Sequence, residues 1–191
     1  HNGKAEGVAV DLAKAATEKA GLAVDIRGAD WLKAQDDLRN GRADALIHIN
    51  PNPERLALFD FSDAWLESKF HIFRKNKQVE ITDIHSLAGK RVGVESGGFP
   101  ITYLRQHEAI HVVVVDDWKQ AFEKLQTGQI DAVFVDRWVG EYVLFQYKIG
   151  DVVLVDPPVV SLESRIAVKK GNASLLASIN SGLHKIDQDG T

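Results

Sequence analysis

The chain contains no cysteine and no methionine. Without cysteine it can form no disulfide and no thiolate metal site, and its redox compartment is left open. With no initiating methionine and no signal-like segment in the opening "HNGKAEG", the sequence reads as a processed or excised piece. No apolar run approaches the ~20 residues that a bilayer-crossing helix needs. No basic block is present either: 23 Lys+Arg against 27 Asp+Glu give a net charge of −4, which argues against nucleic acid as the main partner. A phosphate-cradling G-x-x-x-x-G-K-S/T loop and a G-x-G-x-x-G fingerprint are both missing, so nucleotide binding is not indicated. No Ser or Cys sits in a recognisable nucleophile elbow. What remains is 191 residues, 45% hydrophobic, enough for one large domain or two small lobes.

A repeat organises these residues. "DWLKAQDDLRNGRADALI" (30–47) and "DWKQAFEKLQTGQIDAVF" (117–134) align without gaps and share seven identical positions. These are Asp30/Asp117, Trp31/Trp118, Ala34/Ala121, Leu38/Leu125, Gly41/Gly128, Asp44/Asp131 and Ala45/Ala132. In each copy an Asp can cap a helix, apolar residues recur at helical spacing, and a Gly stands where a helix stops in the left-handed conformation. A short apolar run then reads as a buried strand. Two copies so far apart do not make a solenoid; they predict two similar α/β lobes.

Further elements follow from the same signals. Helices are expected over 8–20, from Pro100, over 137–148 and over 173–187. Strands are expected over 22–26, 65–74, 90–94, 111–115, 152–155 and 164–168. Alternating strands and helices predict parallel sheets covered on both faces. No long linker appears, so the lobes are expected to pass the chain between them through strands.

"INPNPERLALFDFSD" (49–63) follows the strand of the first repeat. Pro51 and Pro53 forbid both a central strand and a helix interior, so the chain must turn there. Turns at the carboxyl ends of parallel strands are where α/β proteins place ligands. The equivalent strand ends lie at 48–50 and 135–136. If the lobes face one another, Arg55 and Asp136 border a common cleft. A guanidinium forks onto a carboxylate and a carboxylate accepts from an ammonium, so the pair suits a zwitterion such as an α-amino acid.

Beyond the repeat, "GVAVDLAKA", "DALIHINPNPERLALFDFSDAW", "LAGKRVGVESGG", "GQIDAVFVDRWVGEYVL", "SRIAVKKGN" and "INSGLHKIDQDGT" occur in the order of a known pattern. The chain resembles the type II periplasmic solute-binding proteins of the amino-acid class. The resemblance implies a two-lobed α/β fold with a ligand cleft between lobes, each a mostly parallel sheet flanked by helices. Its discontinuous lobes would be 1–72 plus 163–191, and 73–162.

It also implies a carboxylate-binding role for Arg55, an ammonium-binding role for Asp136 and a stacking role for Trp31. Asn50 and Asn52 stand where the family usually has small hydroxyl residues, and Trp65 where it often has Tyr. Ser96, Gly97 and Gly98 follow the "VGV" strand, where the family's threonines are replaced by glycine and phenylalanine. Backbone N–H groups at the helix start there can still meet an anion. The turn before Arg55 is about one residue shorter than usual, and the family's opening strand would precede "HNGKAEG".

Neither catalytic residues nor a metal or cofactor is implied. The expected partner is a small amino acid or related carboxylate. The expected place is the periplasmic side of a bacterial inner membrane. The "NPNPER" turn and "WLESKFHIFRK" resemble the sensor-fused branch, the input domain of a sensor histidine kinase tethered to a membrane helix, with a dimer as one arrangement. The alternatives are a free binding protein that delivers amino acids to an ABC transporter and, from another class, an enzyme such as a cyclohexadienyl dehydratase. For an enzyme, Glu95 and Glu141 are the carboxylates to nominate.

Plainer readings stand beside these. Arg55 could pair with Glu54 or Asp60, Asp136 could cap a helix beside Arg137, and Trp31 could pack in a core. "DFSD" reads as structural. "HEAIH" (107–111) matches a zinc-protease pattern, but His111 opens the β-branched run "HVVVV", so the two rings should not converge on one helical face.

Overall fold

The computed structural model describes residues 5–190; the first four residues of the opening motif and Thr191 of the closing one lie outside them. Helix α1 (Val8–Lys19) buries Val10, Ala13, Ala16 and Thr17, a stripe at helical spacing. The chain leaves it through Gly21 at φ 72°. The two copies of the repeat form the same unit. Helix α2 (Trp31–Arg39) begins where the Asp30 side chain accepts from Lys33 N–H, and α5 (Trp118–Thr127) where Asp117 accepts from Gln120 N–H. Gly41 and Gly128 take the left-handed conformation, at φ 71° and 76°. Strands β1 (Ala45–Ile49) and β6 (Ala132–Asp136) follow.

The remaining elements are α3 (Pro53–Leu58), β2 (Phe59–Phe61), β3 (Leu66–Lys75), β4 (Arg91–Glu95), α4 (Phe99–Leu104), β5 (His111–Val115), α6 (Arg137–Gln146), β7 (Val152–Lys169) and α7 (Ala173–Asp189). Two expectations need correction. Residues 22–26 form no strand, because a strand lasts only where a neighbour takes its backbone groups and no strand among the described residues pairs with this segment. The segments 152–155 and 164–168 are parts of one long strand, β7, which continues through Asp156, a cis peptide and two prolines. Proline's fixed φ is compatible with extended chain wherever its missing N–H is not needed by a neighbour.

The chain divides into two compact units, one running to Glu67 and resuming at Glu163, the other Ser68–Leu162. It passes from one to the other within β3 and within β7.

In the first unit, β1 and β2 each pair antiparallel with the end of β7, Leu46 and Phe61 both opposite Ala167. Side chains alternate across that strand. Ile166 and Val168 pack with Ala16, Ile179, Leu183 and Ile186 from α1 and α7, whereas Ala167 packs with Leu38, Ile49 and Phe59.

In the second unit the sheet order is β5–β4–β6–β3. β4 runs parallel to both β5 and β6, and β3 runs antiparallel to β6. Phe134 faces one core with Val92, Val94 and Ile72, while Val133 and Val135 face the other with Phe73, Phe122 and Leu125. Every residue of β6 is buried, as expected of a strand covered on both faces. Against the expectation of mostly parallel sheets, the described pairs of the first unit are antiparallel, and the sheet of the second unit is mixed. Parallel pairing is kept where helices cross over, and the strands that carry the chain between units have no crossover to force it.

Candidate functional site

The turn after β1 is built from its residue types. A register shift interrupts β1 between Leu46 and Ile49, and His48 within it sits at φ 57°. Asn52 is extended and caps α3, its Oδ1 accepting from Arg55 N–H at 2.8 Å. Pro53 takes the first helical turn, where a missing N–H costs nothing. The prolines thus end the strand and start a six-residue helix, whose third residue is Arg55.

Arg55 is 6% exposed. Its Nε donates to Gln35 Oε1 at 3.1 Å and its Nη1 to the Asn50 carbonyl at 2.8 Å. Its Cζ lies 5.4 Å from the centre of the Trp31 ring, within cation–π range. Burial pushes the guanidinium down to about 10, against the opposing pull of Glu54, so it stays charged at neutral pH. Asp60, its other candidate partner, instead pairs with Lys170 at 2.8 Å and accepts from Gly171 N–H.

Trp31 is half-buried, packs against the Leu38–Ile49–Phe59 cluster and carries the Arg55 charge on its ring. Asn50 donates from Nδ2 to the Glu163 carbonyl at 3.1 Å. Trp31, Asn50, Asn52 and Arg55 thus gather in the first unit. Trp65, in the same unit, packs instead on the Ile166–Leu183 cluster, its Nε1 buried without a hydrogen-bond acceptor. Gln35 is the member of this group that sequence reasoning missed. Its signal was position: it stands four residues after Trp31 on a helix, and so shares that ring's face.

In the second unit, Asp136 ends β6 and is 5% exposed. Its Oδ1 accepts from Trp138 N–H at 2.9 Å, so it caps α6, while Arg137 turns away to Glu141 at 2.9 Å. Ser96, Gly97 and Gly98 form the turn between β4 and α4, with Gly97 at φ 73° and Gly98 at the helix cap. The helix they open has only six residues.

"DFSD" serves the scaffold. The buried Ser62 donates its backbone N–H to the Ile166 carbonyl, and its Oγ accepts from Ile166 N–H. Asp63 donates its backbone N–H to Asn180 Oδ1 at 3.0 Å, and its carboxylate meets His184 at 3.0 Å. In "HEAIH", His107 lies in a turn against Tyr103 and His111 opens β5, so the pattern has no continuous helix.

Comparison with known proteins agrees with this fold. The model for bacterial extracellular solute-binding proteins, family 3, matches residues 1–191. The L-cystine-binding protein TcyJ of Escherichia coli K12 is 29% identical over 194 residues, an alignment covering all of this chain and 72% of that protein. An ancestral arginine-binding protein, solved bound to arginine, superposes with a TM-score of 0.90 at 32% identity, covering all of this chain and 86% of the other. A histidine kinase sensor domain with similarity to periplasmic binding proteins superposes with a TM-score of 0.91 at 25% identity, covering all of this chain and 84% of the other. The chain belongs to the bacterial extracellular solute-binding proteins, family 3.

Proposed function

We propose that the chain binds a small α-amino acid or related carboxylate and that Arg55 takes the ligand's carboxylate. One observation carries this reading: the guanidinium is a charge only 6% exposed, held by neutral acceptors and an aromatic face. A cation withdrawn from water gains more from an anion than an exposed one does. The relatives named for L-cystine and arginine bind α-amino acids, which offer that carboxylate. Asp136, a buried carboxylate, is the proposed partner of the ammonium. Trp31, Asn50, Asn52, Trp65, Ser96, Gly97 and Gly98 are the further proposed contacts. With Oδ1 of Asn52 committed to capping α3, its Nδ2 is the part offered to a ligand.

The family is solute-binding, and its members act outside the cytoplasm. We propose that ligand-induced closure serves as the signal of a membrane-tethered sensor histidine kinase, a use supported by the sensor-domain neighbour. Delivery to an ABC transporter is the second reading, supported by the similarity to ABC transporter arginine-binding protein 1 of Escherichia coli K12. A transmitter domain encoded downstream in the same reading frame favours the first; a neighbouring permease gene favours the second.

The binding claim is tested by thermal unfolding against a panel of amino acids and small carboxylates, with Arg55→Ala alongside. A ligand at ~100 times its dissociation constant adds about 2.7 kcal/mol. In a protein of this size that raises the melting temperature by roughly 5–10 °C. The expected result is a shift in the wild type that Arg55→Ala loses. A shift kept by the variant removes Arg55 from the site, and no shift across the panel overturns the reading.

A further inference from the structure

The Arg55 guanidinium is not held by its own helix alone. Gln35, on α2, accepts from Arg55 Nε through Oε1 at 3.1 Å and donates through Nε2 to the Trp31 carbonyl at 3.3 Å. Both ends of the carboxamide are therefore committed. The Trp31 carbonyl one turn earlier orients it, so the oxygen faces the cation. The Asn50 carbonyl accepts from Nη1, and the Trp31 ring lies against Cζ, so the long side chain is supported at three points. A carboxylate can fork onto a guanidinium either side-on, which requires Nε–H, or through the terminal Nη groups.

We propose that Gln35 is the positioning residue for carboxylate recognition: by engaging Arg55 Nε–H it closes the side-on edge of the guanidinium and directs a ligand carboxylate to the Nη edge. This rests on the reading of Arg55 as the carboxylate-binding residue. Glutamine suits the role for a physical reason. A glutamate here would place a permanent anion against the cation and compete with the ligand, and an aliphatic residue would leave Nε–H without this acceptor.

The test uses the full chain as wild type, Gln35→Leu and Gln35→Glu. In the absence of ligand, nitrogen-edited NMR follows exchange of the Arg55 Nε–H with water, the signal being identified by its loss in Arg55→Ala. Slow exchange is expected in the wild type, at least tenfold faster exchange in Gln35→Leu, and slow exchange again in Gln35→Glu. The same proteins are titrated calorimetrically with L-arginine, L-cystine and succinate. Gln35→Leu should weaken carboxylate binding three- to tenfold. Gln35→Glu should weaken it more than tenfold while its Nε–H stays protected and its melting temperature does not fall. A merely structural glutamine would not separate protection from binding in that way.

Equally fast Nε–H exchange in wild type and Gln35→Leu overturns the proposal, as does undiminished binding by Gln35→Glu. Binding of succinate but of neither amino acid, with the variant pattern intact, overturns the amino-acid reading and leaves the role of Gln35 standing. Binding of none of the three overturns both.

Discussion

Asp131, one of two Asp residues the second repeat shares with the first, shows what a charged residue does when its role is structural. Arg91 donates to its Oδ2 from the backbone N–H at 2.8 Å and from Nε at 3.1 Å, and to Oδ1 from Nη2 at 3.0 Å. The Arg91 side-chain hydrogen bonds hold the carboxyl below its ordinary value of 3.8, with burial working in the opposite direction. A carboxylate whose value is lowered on folding stabilises the fold fully above that ordinary value, and the contribution is lost as pH falls through the lowered one. Asp131→Asn should therefore cost about 1 kcal/mol at pH 7, the Arg91 end being half in solvent. The gap from wild type should close as urea titrations are carried below pH 3.8. Asn52 makes a second case. Its cap on α3 is local, and Asn52→Ala should lower stability by about 1 kcal/mol. Because the cap also sets where Arg55 starts, ligand affinity should fall with it, read by calorimetry beside the melt. The capping roles of Asp30 and Asp117 were legible in the sequence because a cap is a contact over three residues. Gln35 was not, because its contact joins α2 to α3 across twenty residues of chain.

At the scale of elements, α1 and α7 approach so closely that a Cβ on Gly182 would sit 2.0 Å from the Ala16 carbonyl oxygen. The obstacle is backbone, which cannot rotate aside. Gly182→Ala should destabilise the protein by about 1–3 kcal/mol through overpacking, measured as a lowered denaturation midpoint at unchanged slope. Nothing in the sequence around Gly182 announces this, since periodicity marks which face of a helix is buried but not how near the next helix comes. The repeat, by contrast, was readable: cap, helix, left-handed glycine and strand follow in order in both copies, although β6 is buried throughout and β1 only at Ile49. The lost strand at 22–26 and the joined strand β7 mark the opposite limit. Whether extended chain becomes a strand depends on a neighbour, and a sequence window does not contain the neighbour.

At the scale of the molecule, each unit has cores of its own, and local stability should follow them. β6 is buried along its whole length between β4 and β3, whereas residues 22–30 have no helix or strand. In hydrogen exchange followed by mass spectrometry, amides of β4 and β6 should be among the slowest and those of 23–30 among the fastest. Fast exchange throughout β6 would contradict the sheet order described here. The family was legible because its motifs span the whole chain, and a match over residues 1–191 agrees with that.

What the sequence by itself determined is what short-range physics encodes: the α/β class, the two copies of the helix–strand unit, the turn at "NPNPER" and the placing of Arg55 at its end. Caps, proline geometry and hydrophobic period act over a few residues, so they can be read from a line of text. Only the tertiary structure decided that β7 is one strand, that antiparallel pairs stand where parallel sheets were expected, and that Gln35, Asn50 and Trp31 meet around the Arg55 guanidinium. Each depends on which distant segments come into contact, and that is settled by burial and hydrogen-bond satisfaction over the folded chain.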